Sequence, residues 1–125
     1  IIKNWLENDK PDDVFFTKHL HPDDFYKYLK NAAAAVGNSS SFIREGAFFG
    51  TPAILTGSRQ NKRERGENVL EVEDDAISLK EAIMSQIGHG RYPKSEVFGR
   101  GDAASNIAHV LATVDLDIQK SFNDL

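Results

Sequence analysis

The stretch Gly37-Asn38-Ser39-Ser40-Ser41 holds the densest set of groups in this chain that could do chemistry. It closes a short apolar run and opens SSFIREGAFFG, which reads as a helix. The free N–H groups of a first helical turn point outward, and the helix dipole there favours an anion. Gly37 permits a sharp turn and close approach, and the serine hydroxyls add donors. A phosphate or diphosphate is the natural guest. The plainer alternative is that Ser39 only caps the helix, which explains one serine of the three.

Glu45 lies one to two helical turns beyond the serines, with Arg44 before it. Against a phosphate a carboxylate would repel; set back by one sugar-length it can accept bonds from ribose hydroxyls. An exposed Arg-Glu pair is the ordinary alternative. Arg59 and Gln60 follow the apolar run PAILTG and so return to the same edge of a sheet. Arg59 could neutralise phosphate charge with paired N–H bonds. The surrounding RQNKRERGE has four basic residues and two acids, as a solvated loop would, and its lack of any period suggests a mobile flap. His19, His21, Asp23 and Asp24 are metal-capable types, but no third ligand has convincing geometry and no metal is assigned. His89 and His109 read as surface groups.

The elements that must position these residues follow from the apolar pattern. Ile1, Ile2, Trp5 and Leu6 share one helical face, so the chain starts inside an amphipathic helix, as a piece cut from something longer would. Val14, Phe15 and Phe16 predict a short buried strand. HPDDFYKYLKNA predicts a helix, with Pro22 at its start and Phe25, Tyr28 and Leu29 along one side. Ala34 to Val36 predicts a strand closed by Gly37. In the next helix Ile43, Ala47 and Phe48 form the inner stripe and Gly50 the stop. PAILTG and ENVLEVE predict two further strands. DDAISLKEAIMSQIGHG predicts a helix turned inward through Ile77, Leu79, Ile83 and Ile87. DAASNIAHVLATVD predicts a last one, capped by Asp102 and turned inward through Ile107, Val110, Leu111 and Val114. Strands alternating with helices imply an α/β fold: a parallel sheet with right-handed crossovers.

Composition narrows the function classes. A chain of 125 residues is most simply one domain, and 40% apolar with 27% charged residues is a globular balance. The net charge of −4 supplies no field for nucleic acid or an anionic membrane. With no cysteine, disulfides and thiolate metal sites are excluded, and a cytoplasmic location fits.

The combination GNSS-x-x-x-RE, G-x-P and G-x-RQ-x-x-R-x-x-GENV strongly resembles the C-terminal half of UDP-N-acetylglucosamine 2-epimerases. The hydrolysing type, which supplies N-acetylmannosamine, is the nearer match. The similarity runs from KHLHPDDFYKYLKNA through FGRGDAASNI, roughly residues 18 to 110. It implies a two-domain glycosyltransferase-B-type enzyme, of which this chain is most of the second, UDP-holding, Rossmann-like domain. The first domain, with the carboxylates that do the proton chemistry, would lie outside it, and the isolated piece would not turn over.

Carried over by position, the resemblance puts Ser39 and Ser40 on the diphosphate, Glu45 on the ribose and Arg59 at the nucleotide-sugar site. Leu20 would meet uracil through its backbone, Phe25 would pack on that base, and His19 would lie beside the nucleotide. No cofactor is implied; the expected partners are UDP-N-acetylglucosamine and UDP, with the full-length enzyme a homo-oligomer. One segment departs from the pattern. The family shows an aromatic residue before Gly-Asp-Gly, whereas this chain reads Phe98-Gly99-Arg100-Gly101-Asp102. Three other readings stay open: the non-hydrolysing epimerase, a glycosyltransferase of the same build, and a non-enzymatic α/β binding module.

Overall fold

A computed structural model describes residues 2–115, with side chains from Trp5 onward. The Ile1 and Ile2 side chains of the expected first apolar face therefore lie outside the described residues. The elements in chain order are α1 (Ile2–Asn8), α2 (Pro22–Asn31), β1 (Ala35–Gly37), α3 (Ser40–Phe49), β2 (Ala53–Thr56), a 3-10 turn (Ser58–Gln60), β3 (Val69–Val72), α4 (Ala76–His89) and α5 (Ala103–Thr113). The three strands form a parallel sheet in the order β1-β2-β3, with Ala35 opposite Ala53 and Ala53 opposite Val69. This is the α/β, Rossmann-like arrangement that the alternation of short strands and helices implies.

The core sits on the central strand. Ala53, Ile54 and Leu55 are all buried, and successive strand residues face opposite sides, so β2 is covered on both faces. Helices α3 and α4 each pack on β2 and β3, while α2 packs on α3. Leu29, Ala35, Ile43, Ala47 and Ala82 complete the buried aliphatic set among the described residues. Gly50 ends α3 in the left-handed conformation (φ 66°), and a side chain there would collide with the Tyr92 carbonyl.

Five expectations need correction. No strand forms at Val14–Phe16; Phe15 is 91% exposed, and Val14 instead gives its N–H to the Pro11 carbonyl at 3.1 Å in a turn. A strand requires a partner ladder, and β-propensity alone does not provide one. In α3 the buried residue beside Ile43 and Ala47 is Gly46, not Phe48, because Asn68 of the segment entering β3 presses against that point. Phe48 lies outward, with the Lys94 ammonium 4.3 Å above its ring.

Helix α4 is rotated from its expected face: Ala82 and Gln86 are buried, whereas Ile77 and Ile87 are exposed. Small Ala82 allows close approach, and the Gln86 amide donates to the Ala53 carbonyl at 3.3 Å, an anchor that isoleucine cannot supply. Helix α5 forms as expected, yet Ile107, Val110, Leu111 and Val114 are all exposed. Its period reports an apolar face, and none of the described residues buries that face. Asp102 occupies the N-cap position of α5 without a side-chain capping bond. The loop after β2 is not featureless either. Gln60, buried, donates to the Asn38 carbonyl at 2.7 Å, and Arg65 donates to the Gln60 carbonyl at 3.2 Å and pairs with Glu71.

Candidate functional site

Ligands of open parallel sheets sit beyond the carboxyl ends of the strands, and β1 ends there at Gly37. Gly37 has φ 144°, and a Cβ at that position would lie 3.3 Å from the Phe42 ring. The chain can therefore turn tightly from β1 into α3. Ser39 is the N-cap of α3: its Oγ accepts the Ser41 N–H at 3.3 Å. Capping thus holds for Ser39, although its hydroxyl proton remains available to a further acceptor.

Ser41, the third serine, lines a cavity of about 420 Å³ with Lys18, His19, Leu20, Phe25 and Tyr26. The two walls are the N-terminal half of α2, with the loop leading into it, and the first turn of α3. Pro22 at the first position of α2 and the His21 ring, which accepts the Asp23 N–H at 3.4 Å, fix where that wall begins. His21 is therefore a helix cap. Phe25 is half-buried and faces the cavity, a position compatible with both packing and a flat ligand.

Glu45 stands one turn beyond Ser41 on the same helix face. It lines an adjoining cavity of about 280 Å³ with Tyr26, Phe49 and Phe98. Its Oε2 is buried and has no hydrogen-bond partner among the described residues. An acceptor so placed is costly unless something donates to it, and a hydroxyl-bearing ligand would do so. Tyr26 lines both cavities, the first a groove between α2 and α3 and the second lying between α3 and the segment Ser95 to Gly99.

His19, Leu20, Phe25 and Ser41 thus line one cavity, and Glu45 lines the other. Ser39 and Ser40, the serines expected on the diphosphate, are both half-buried and line neither cavity. Arg59 is exposed in the 3-10 turn and lines neither cavity as well. Its neighbour Gln60 is bonded to Asn38, so Arg59 is carried beside the start of α3 without reaching the groove. Sequence reasoning missed Lys18, Tyr26 and Phe98. Tyr26 adjoins Phe25, and Phe98 opens the atypical FGRG segment, so each stood next to a signal. Arg100 in that segment pairs with Glu96 at 3.8 Å, while Gly99 lines the Glu45 cavity.

A parallel α/β sheet flanked by helices, with a serine-bearing helix end beyond its carboxyl edge, defines a Rossmann-like α/β protein. The chain belongs to the UDP-N-acetylglucosamine 2-epimerase family, whose sequence model matches residues 1–112. It is 34% identical over 119 residues to the UDP-N,N'-diacetylbacillosamine 2-epimerase (hydrolyzing) of Legionella pneumophila, covering 95% of this chain and 31% of that protein. It is 32% identical over 107 residues to the UDP-N-acetylglucosamine 2-epimerase of Neisseria meningitidis, covering 81% of this chain and 28% of the relative. A 73-residue match at 36% identity reaches the GDP/UDP-N,N'-diacetylbacillosamine 2-epimerase (hydrolyzing) of Campylobacter jejuni, covering 58% of this chain and 19% of that protein. The chain thus spans less than a third of the length of these relatives. Among the described residues no helix is long and apolar enough to cross a membrane.

Proposed function

We propose that this chain is the UDP-binding half of a UDP-N-acetylglucosamine 2-epimerase of the hydrolysing type. The observation that carries the reading is the pair of cavities that meet at Tyr26, where Ser41 and Glu45, one helical turn apart, each line one beside aromatic walls. The serine-bearing end of α3 would take the diphosphate, the unpartnered Glu45 oxygen a ribose hydroxyl, and Phe25 the uracil face, with Leu20 and His19 at its edge. Arg59 would swing from its exposed turn to the phosphates when UDP binds. Two relatives named as hydrolyzing epimerases support that type over the non-hydrolysing one.

In this reaction a base removes the C2 proton of the sugar while the C1–oxygen bond to UDP breaks, leaving a glycal. Water then adds across the double bond, placing hydroxyl on C1 and a proton on the opposite face of C2. The chain's own groups would hold the departing diphosphate as its charge grows, an electrostatic contribution to the first step. The carboxylates that move the protons would come from a first domain outside this chain. The full-length enzyme would work in the cytoplasm as a homo-oligomer, without a cofactor.

The test is product analysis on the full-length protein given UDP-N-acetylglucosamine. Free N-acetylmannosamine with UDP supports the reading, whereas UDP-N-acetylmannosamine would assign the non-hydrolysing type. A second substrate belongs in the same assay, because the Legionella relative is named for UDP-N,N'-diacetylbacillosamine. Release of UDP from that sugar alone would keep the UDP site and change the sugar.

A further inference from the structure

Arg91 follows α4 and lies far in sequence from every group it touches. Its guanidinium donates to the carbonyls of Lys30, Ala32 (3.2 Å) and Phe49 (3.1 Å) and to the Thr51 hydroxyl (3.3 Å). Lys30 and Ala32 are at the C-terminal end of α2, and Phe49 is the last residue of α3. One cation therefore joins two helix ends at once, where unpaired carbonyls and the negative end of each dipole converge. Thr51 adds a second tie by donating its hydroxyl to the Leu29 carbonyl at 2.8 Å. The segment after Arg91 continues the seam, with the Tyr92 N–H on the Gly50 carbonyl and the Ser95 N–H on the Ala47 carbonyl, each at 3.0 Å.

Helix α2 rests chiefly on α3, and its N-terminal half is one wall of the groove. Its polar ties to the rest of the domain gather at the opposite end. A ten-residue helix is a lever about 15 Å long, so a swing of about 10° at the tied end displaces the other by about 2.5 Å. Such a shift is enough to break contact between a flat ring and a ligand held on α3.

We propose that Arg91 is a positioning residue that sets the width of the α2–α3 groove, and so the affinity for the base end of a nucleoside diphosphate. This rests on the UDP-binding reading above. The diphosphate itself would meet the start of α3 and Arg59, neither of which is tied to the clamp. The two ends of the ligand therefore respond differently to its loss. Lysine would be a poor substitute, since a single ammonium cannot present a planar fork to acceptors on two helices.

The experiment measures UDP and inorganic pyrophosphate binding to the full-length protein by titration calorimetry, for the wild type, Arg91→Ala and Thr51→Val. Arg91→Ala should weaken UDP about tenfold while pyrophosphate changes by less than about twofold. Thr51→Val, which keeps the shape of its buried site, should give the same split at about threefold; it carries the test if Arg91→Ala does not fold. Unchanged UDP affinity in the folded variants overturns the clamp, and so does an equal loss for both ligands, which would make Arg91 a general stabiliser. A wild type that ignores UDP would instead remove the UDP reading itself.

Discussion

At the scale of single residues, Glu45 is the sharpest feature of the site. With no donor to it among the described residues, its buried oxygen costs stability and gains when a ligand hydroxyl arrives. Glu45→Ala should therefore leave stability without ligand unchanged or slightly higher, while UDP binding weakens and pyrophosphate binding is spared. Thermal melts with and without each ligand read both halves; equal weakening of the two ligands would end the ribose role. Arg59 makes the opposite case, because it is exposed and lines neither cavity. If it closes on the phosphates, Arg59→Ala should weaken UDP and pyrophosphate alike, by about tenfold to a hundredfold. An affinity equal to wild type in the folded variant would leave Arg59 as a solvated loop residue. Ser39 needs both descriptions, cap and donor, since its acceptor lone pair serves the helix and its proton does not.

Among the elements, α4 offers a pH test remote from the groove. The Asp75 carboxylate caps α4, accepting the Ser78 and Ile77 N–H groups at 2.9 Å each. Bonds from the Ser78 hydroxyl and N–H, together with the Ile77 N–H, hold this carboxyl below its ordinary range against a smaller push from desolvation. Its folded pKa is thus depressed, so the stability it adds is present at neutral pH and is lost as pH falls through that depressed value. Asp75→Asn retains an acceptor but cannot titrate, so that variant should lose less stability than the wild type as the pH falls below the ordinary aspartate value of 3.8. Parallel acid melts of the two proteins would refute this.

The elements themselves were largely legible in the sequence. Pro22, Ser39, Gly50 and Asp75 mark helix ends by local chemistry, and local chemistry is what a sequence displays. What sequence could not display were relations between elements. The Val14–Phe16 segment has strand propensity and no ladder, the α5 face has a period and no cover, and α4 turned to bring in Gln86. Of the residues that line the two cavities, Phe25 and Glu45 could be read from motif, whereas Tyr26 and Phe98 matter only because α2, α3 and the FGRG segment converge.

For the molecule as a whole, Asn68 is the point where the layers meet. It belongs to the GENV stretch by which the family resemblance was read, yet its amide is 2% exposed and faces the interior. Its Nδ2 donates to the Thr51 carbonyl at 2.9 Å and reaches the Phe42 carbonyl at 3.4 Å, tying the entry of β3 to α3 and to the entry of β2. Its own carbonyl accepts the Ala53 N–H at 2.8 Å and the Gln86 amide at 3.5 Å, which brings in α4. Gly46 and Gly66 make room for it: a Cβ on Gly66 would stand 2.8 Å from Asn68 Oδ1, and one on Gly46 would stand 3.3 Å from its Nδ2. Part of the family signature is therefore a packing requirement, with the glycines fitted to the amide. Asn68→Ala would leave the buried Thr51 carbonyl unpaired and open a void between two glycines, a loss of about 2–4 kcal/mol. Asn68→Asp keeps the size but turns an acceptor toward two carbonyls, so it should be at least as damaging. Urea unfolding of the full-length protein, with UDP affinity measured on the folded fraction, checks both. The expected pattern is a large drop in midpoint with affinity retained, because no Asn68 atom faces the groove. A normal midpoint would mean that these ties do not hold the sheet to its helices.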